Sequence, residues 1–219
     1  MDSVLEQTGV ELEYIVIDGA STDGTAAVLE RYAQRAVRVV SEPDRGIYDA
    51  MNKGLRMATG DIIGFVNAGD ALFRPDVMAS VVAAFQRTGC STVYGDILMV
   101  DELDVSRVKR VWRSGAYDRR NFRKGWMPPH VATFFTRACY ERYGHFRDDL
   151  RIAADYEILF RFLYKEEVSA VHLPEWLVRF RLGGMSIGNF KHILKANAEV
   201  RRSWALNGVM APPVLITRK

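Results

Sequence analysis

The sequence predicts an α/β fold on a sheet that is parallel at least in part. Three observations predict it. Short apolar runs ending in acids or amides recur through the first hundred residues, helical patterns separate them, and turn or cap residues mark the junctions.

The elements follow in order. Residues 2–7 read as the end of a helix. Glu13-Tyr14-Ile15-Val16-Ile17-Asp18 is an apolar run closing on an acid, the pattern of a buried strand. Residues 19–25 are a turn, after which Thr22 or Asp23 caps a helix over about 25–35. Val37 to Val40 is a second strand. Gly46 to Ala58 is a helix, with Ile47, Ala50, Met51, Leu55 and Ala58 on one face at three- and four-residue spacing. Asp61 to Val66 is a third strand, followed by Asn67-Ala68-Gly69-Asp70. Pro75 opens a helix to about Arg87, and Thr92 to Val100 is a fourth strand. Beyond residue 100 the periodicity weakens. His130 to Phe135, Val168 to Leu173 and Trp176 to Phe180 read as short strands. Ile152 to Tyr164 and Asn189 to Leu206 read as helices. No repeat or linker divides residues 1–219, so one domain is the economical reading.

Composition narrows the function class. Of 219 residues, 48% are hydrophobic, enough for one sizeable core, and 30 basic side chains against 27 acidic ones give a net charge of only +3. Nothing in that balance demands a nucleic-acid partner. The basic residues do cluster between Arg107 and Lys124, either as a solvated loop or as a contact for phosphates or an anionic membrane. Two cysteines, Cys90 and Cys139, fit no metal motif and no disulfide scaffold, and indicate a reducing, cytoplasmic setting. No apolar run is long enough to span a bilayer, and the first residues do not read as a signal peptide.

Ligands of such sheets sit beyond the carboxyl ends of strands, where Asp18 and Asp70 both fall. An acid there costs desolvation unless something satisfies it. Asp18 therefore either meets a nucleotide or bonds its own turn, while Asp23 reads as a helix cap. Asp70 and Asn67 offer a carboxylate and an amide oxygen to a hard cation, with Gly69 leaving room for a diphosphate; the same four residues also suit a plain turn. Asp155, at a helix start, is either an acid favoured by the helix dipole or a general base. His130, after Pro128-Pro129, reads as structural on local features alone. Arg181-Leu182-Gly183-Gly184-Met185-Ser186 is either a turn or a loop that closes on a diphosphate.

In this order the motifs resemble family 2 glycosyltransferases of the GT-A fold, especially bacterial enzymes of exopolysaccharide and lipopolysaccharide assembly such as the colanic acid transferases. The matching text is Glu13 to Thr25, Ser41 to Gly54, Ala58 to Asp61, Asn67 to Asp70, Pro129-His130, Thr133 to Phe135, Gly144 with Phe146, Asp155 to Glu157 with Arg161, and Gly183 to Ser186. The resemblance covers about residues 2–190. It implies a mixed, mostly parallel sheet flanked by helices, and a cytoplasmic enzyme working at most at the inner face of the membrane. That enzyme would transfer a sugar from a nucleotide-diphosphate donor to a glycan or lipid-linked acceptor, with inversion. By the same resemblance Asp18 and Asp44 would lie beside the base and ribose. Asp70, with Asn67, would hold Mn²⁺ or Mg²⁺ on the diphosphate, and Asp155 would be the catalytic base. His130, Gly183, Gly184 and Ser186 would line the acceptor or diphosphate side. Residues 1–100 would form the donor half, and 101–219 the acceptor half with its C-terminal helix.

The departures from the family pattern are informative. Asp18 is followed by Gly19 where many members carry a second acid. The metal element keeps one carboxylate. No Gln-x-x-Arg-Trp element follows Asp155, which implies a non-processive enzyme. The strand that usually opens the family fold has no counterpart before Ser3 to Gln7, so the fold is expected to lack it. A non-catalytic sugar-nucleotide-binding relic is the alternative.

Overall fold

The computed structural model describes residues 1–33, 35, 37–183 and 190–213. After a four-residue helix, α1 (Asp2–Leu5), the chain enters β1 (Tyr14–Asp18), which pairs in parallel with β2 (Val37–Ser41) and places Asp18 opposite Ser41. The helix between them, α2 (Thr25–Glu30), is shorter than its pattern suggests. Asp23 does bind its start, accepting from the Thr25 N–H at 3.2 Å and hydroxyl at 2.6 Å. The N-cap position itself is Gly24, at a φ of 90° that glycine adopts without strain.

Helix α3 (Ile47–Met57) buries Tyr48, Asp49, Met51, Asn52 and Leu55. The inward face is therefore turned by one residue from the expected Ile47–Ala50 line. Asn52 is the cause: its amide donates to the Phe146 carbonyl at 2.9 Å, and its oxygen accepts from the Phe146 N–H at 3.0 Å. A buried amide satisfied in both directions is stable in a core position that an apolar count overlooks.

The larger sheet contains β3 (Ile62–Ile63), β4 (Ala71–Leu72), β5 (Thr92–Val100), β6 (Val108–Trp112), β7 (Thr133–Thr136) and β8 (Ala170–Arg181). Its order is β3-β7-β5-β8-β4, with β6 paired to β5. Only β5 and β8 run parallel in it; the β3–β7, β4–β8, β5–β6 and β5–β7 pairings are antiparallel. The sheet is mixed as expected, but among the described residues antiparallel pairing predominates over the mostly parallel arrangement anticipated. One of these antiparallel pairings, β5–β6, is a hairpin; the other three join strands distant in sequence, whose direction no local pattern fixes. The two strands expected over 168–180 are one strand, β8, with register shifts opposite Asp96. There Leu177 lies so close over Gly95 that any Cβ on Gly95 would overlap it.

Among the described residues, no pairing joins the β1–β2 sheet to the larger one. β1 is bonded along one edge by β2, and β3 along one edge by β7. The gap falls where a central first strand was expected to be missing.

Helices cover the sheet. α4 (Val77–Thr88) buries Val77, Val81, Ala84 and Phe85 beside Val93, Leu177 and Val178. On the other side lie α5 (Arg137–Tyr143), α6 (Ala154–Leu159) and α7 (Phe190–Leu206). α6 continues as a π-helical turn over Phe160–Lys165. Trp204 of α7 is fully buried, with ring centres 4.4 Å from Phe160 and 5.2 Å from Tyr164. Burying an apolar side chain contributes about 1.5–3 kcal/mol, and an indole exceeds that range in area. This aromatic packing fixes α7 against the segment that carries Asp155.

Candidate functional site

Asp18 closes β1 and is buried. One carboxylate oxygen accepts from the Ser21 hydroxyl at 2.5 Å; the other accepts from the Ser21 N–H at 3.1 Å and the Ser41 hydroxyl at 2.6 Å. These hydroxyls hold its carboxyl below the usual carboxylate range, so Asp18 is a fixed anion at neutral pH. Its turn satisfies it, and no ligand is needed for that. Asp44 stands next to it. Its Oδ1 accepts from the Gly46 N–H at 2.8 Å, and its Oδ2 lies 2.5 Å from where a Cβ on Gly19 would be. Gly19 thus leaves space that the Asp44 carboxylate fills. The second acid absent from position 19 is replaced in space by Asp44.

From Asp44 the chain leads directly to α3 and Tyr48. The Tyr48 hydroxyl donates to the Ile152 carbonyl at 2.8 Å and lies 3.4 Å from Asp155 Oδ1. Asp155 sits in the first turn of α6, partly exposed. Arg151 donates to the Arg45 carbonyl at 2.8 Å, and Arg45 pairs with Asp148 at 2.8 Å and Asp49 at 3.2 Å. These contacts stitch the loop before α3 to the loop before α6. A cavity of about 210 Å³ lies between them, lined by Arg45, Gly46, Tyr48, Asp148, Leu150 and Arg151. The structure therefore brings Asp18, Asp44 and Asp155 onto one continuous path.

Asp70 belongs to a second group. The turn Asn67–Asp70 is closed by the Asp70 N–H donating to the Asn67 carbonyl at 3.0 Å. Asp70 Oδ1 accepts from the Arg181 N–H at 2.9 Å, while Oδ2 is buried and has no hydrogen-bond partner among the described residues. Burial raises its pKa to about 6, offset only partly by that one backbone donor. Gly69 lies against the Arg181 side chain, and Gly183 against the Glu102 carboxylate, so both stretches run side by side. His130 links the two groups. It is buried, its ring stacks on Phe65 at 5.5 Å and meets Phe146 edge-on at 5.4 Å, and Phe146 stacks on Tyr48 at 5.9 Å. An aromatic bridge thus joins the strand end before Asn67 to the tyrosine beside Asp155. Gly184 and Ser186 lie outside the described residues.

The profile of the family described as Glycosyl transferase family 2 matches residues 1–142. The chain belongs to glycosyl transferase family 2. Two curated relatives come from Mycobacterium tuberculosis. A PGL/p-HBAD biosynthesis glycosyltransferase (strain ATCC 25177 / H37Ra) is 31% identical over 168 residues, covering 74% of this chain and 62% of the relative. An uncharacterized glycosyltransferase (strain ATCC 25618 / H37Rv) is 36% identical over 152 residues, covering 68% and 56%. The chain spans about three-fifths of the length of these relatives. Among solved structures, S. aureus TarS 1-349 in complex with UDP-GlcNAc superposes with a TM-score of 0.73 at 17% identity, covering 94% of this chain and 60% of that one. The mannosyltransferase PcManGT from Pyrobaculum calidifontis, in complex with GDP-Man and Mn²⁺, gives 0.66 at 23% identity, covering 97% and 60%. At these identities the likeness establishes the fold, which is the GT-A fold expected for family 2.

Sequence reasoning missed several residues of the site. Ser41 was legible only as a polar strand end, and its role needs the register that sets it opposite Asp18. Tyr48 looked like a helix residue beside the apolar stripe. Arg181 matters through its backbone N–H, which no side-chain motif encodes. The basic run 107–124 is not one surface. Arg119 and Arg123 lie over the rings of Tyr164 and Trp204, Arg120 pairs with Asp118, and Lys109 pairs with Asp101. Apolar side chains are instead exposed around the β5–β6 hairpin: Leu103 at 91%, with Val105, Val108 and Val111. Among the described residues no helix is long and apolar enough to cross a membrane.

Proposed function

We propose that this chain moves a sugar from a nucleotide-diphosphate donor to a hydroxyl of a glycan or lipid-linked acceptor, non-processively and with inversion. The observation that carries the reading is Asp70 Oδ2, a buried carboxylate oxygen with no hydrogen-bond partner among the described residues, at the end of a strand-derived turn. A hard divalent cation that also takes phosphate oxygens is the partner such an atom fits. Among the described residues no group of three or more His, Cys, Asp or Glu could hold an ion alone, which suits a site completed by the donor's own diphosphate. Mn²⁺ or Mg²⁺ held by Asp70, with Asn67 across the turn, would act as a Lewis acid on the departing diphosphate. Solved neighbours that hold UDP-GlcNAc, or GDP-Man with Mn²⁺, support the donor class.

Asp155 takes the proton of the acceptor hydroxyl. The acceptor oxygen bonds to the anomeric carbon from the face opposite the diphosphate. The bond from that carbon to the diphosphate breaks, and the nucleoside diphosphate leaves. Asp18 and Asp44 hold the base and ribose, while His130 and residues 183–186 line the acceptor or diphosphate side. Residues 1–100 serve the donor and residues 101–219 the acceptor. No nucleic acid is involved.

A panel of UDP- and GDP-sugars, with and without Mn²⁺, tests this reading. Mn²⁺-dependent release of UDP or GDP is expected. Calorimetric binding without release favours the second reading, a non-catalytic sugar-nucleotide-binding module. The separation of the β1–β2 sheet from the larger sheet is the observation behind that alternative. Failure of every donor to bind sinks both.

The reading also places the chain in the cytoplasm at the inner face of the membrane, in peripheral contact through part of residues 107–124. The exposed apolar side chains of the hairpin beside Arg107 are the features that fit an anionic bilayer. Sedimentation with phosphatidylglycerol vesicles is expected to fall several-fold in a Leu103→Ser, Arg107→Ala variant. Undiminished co-sedimentation would remove the hairpin from the reading.

A further inference from the structure

Helix α6, which presents Asp155, starts without a cap of its own. Its N-cap residue is Ala153, which has no side-chain acceptor for the N–H groups left unpaired at a helix start. A residue distant in sequence instead holds the N-cap N–H and the two N–H groups just before it. Glu199, in the second half of α7, turns one carboxylate oxygen to three consecutive backbone donors: Arg151 N–H at 3.1 Å, Ile152 N–H at 2.8 Å and Ala153 N–H at 3.0 Å. Hydrogen bonds to an ionised acceptor are roughly twice as strong as neutral ones, and three converging on one oxygen fix the backbone closely.

The fixed segment is the one that aims the base. The Ile152 carbonyl, in the middle of the three, accepts the Tyr48 hydroxyl, and that hydroxyl lies beside Asp155 Oδ1. α7 also grips the next residues in turn. Trp204 Nε1 donates to the Tyr156 hydroxyl at 2.9 Å, and the Asn207 amide donates to Glu157 Oε1 at 3.0 Å. Glu157 is itself buried and paired with Arg161 at 2.9 Å. Both α6 and α7 lie beyond the residues matched by the family profile.

We propose that Glu199 is the positioning residue for Asp155, acting through the 151–153 backbone and Tyr48. This rests on the reading of Asp155 as the base. A displacement of about 1 Å at a reacting group can cost on the order of 100-fold in rate, so loss of this brace acts on turnover, not on donor binding.

The experiment uses the full 219-residue chain. Glu199→Ala and Glu199→Gln are compared with wild type, Asp155→Asn and Asn207→Ala, the last as a control that loses two bonds just past the end of the same helix without touching residues 151–153. Release of UDP from UDP-GlcNAc and of GDP from GDP-mannose is followed with Mn²⁺, well below each variant's melting temperature. Amide hydrogen exchange is followed across residues 149–157. Glu199→Ala should lower kcat about 10- to 100-fold with the donor KM within about twofold, and Glu199→Gln, which keeps an acceptor oxygen, should recover part of the loss. Exchange at residues 151–153 should speed up more than tenfold in Glu199→Ala and stay near wild type in Asn207→Ala. Normal turnover in Glu199→Ala, with Asp155→Asn inactive, overturns the positioning role and leaves the base intact. Normal turnover in Asp155→Asn removes the base and the positioning role with it. If neither donor turns over, unchanged exchange at 151–153 in Glu199→Ala overturns the brace.

Discussion

Asp155→Asn is expected to lower turnover by about 10²- to 10⁴-fold while leaving donor binding within a factor of two. The two side chains have the same shape. An asparagine oxygen can accept from the Tyr156 N–H, as Asp155 Oδ1 does at 2.8 Å, and can stand beside the Tyr48 hydroxyl in the same way. The start of α6 should therefore hold, apart from the lost attraction between an acid and the helix N-terminus. What the amide cannot do is take a proton from an attacking hydroxyl. Steady-state kinetics on a donor that turns over, with a melting curve alongside, checks both halves. Turnover close to wild type in a folded variant would show that the acceptor is deprotonated elsewhere.

Asp70→Asn is expected to act in opposite directions on stability and on binding. The folded pKa of Asp70 is raised from 3.8 to about 6, with burial as the cause. The sign follows from proton linkage: a raised folded pKa means the folded state holds the proton more tightly. The contribution of Asp70 to stability is thus fully present below pH 3.8 and is lost as pH rises through about 6. Above that, the ligand-free protein carries a buried charge with a single backbone donor among the described residues. Removing the charge should stabilise the fold by on the order of 1–2 kcal/mol at pH 8, with little effect near pH 4. Mn²⁺-dependent donor binding should be lost in the same variant. In wild type it should weaken as pH falls through about 6, because cation and proton compete for one carboxylate. Urea denaturation at the two pH values and calorimetry with Mn²⁺ and a nucleotide sugar measure both effects. A variant destabilised at pH 8, or one that binds donor with Mn²⁺ as before, contradicts the assignment.

Local pattern made part of this legible. The run Thr92–Val100 is strand β5 from end to end, since its β-branched, aromatic and aliphatic residues outweigh the Gly95-Asp96 interruption. Asp18 at the end of β1, Asp70 in its turn and Asp155 at the start of a helix all sit where spacing put them. The hidden parts are those set by distant partners. Strand direction is not written in alternation, so the antiparallel majority was not visible. The inward turn of Asn52 depends on Phe146, and the calm of buried Asp18 depends on Ser41 across a strand pair. The helix expected over 152–164 is helical through Lys165, but its second half changes to π geometry, a shift that composition does not announce. Glu199 lies 46 residues from the nearest backbone it binds, and nothing local marks it.

The β1–β2 pair also bears on how the chain behaves in concentrated solution. β1 carries Ile15, Val16 and Ile17 in a half-buried strand bonded along one edge only, among the described residues. A short apolar strand with an unsatisfied ladder is a template for any other extended chain. Natural edges are commonly blunted by lysine or proline, and neither occurs in Tyr14–Asp18. Colloidal stability is then set less by the modest net charge than by how often two such edges meet. A β1 edge left unpaired in solution is expected to give self-association that grows with protein concentration and persists at high salt, where charge repulsion is screened; light scattering against concentration checks it.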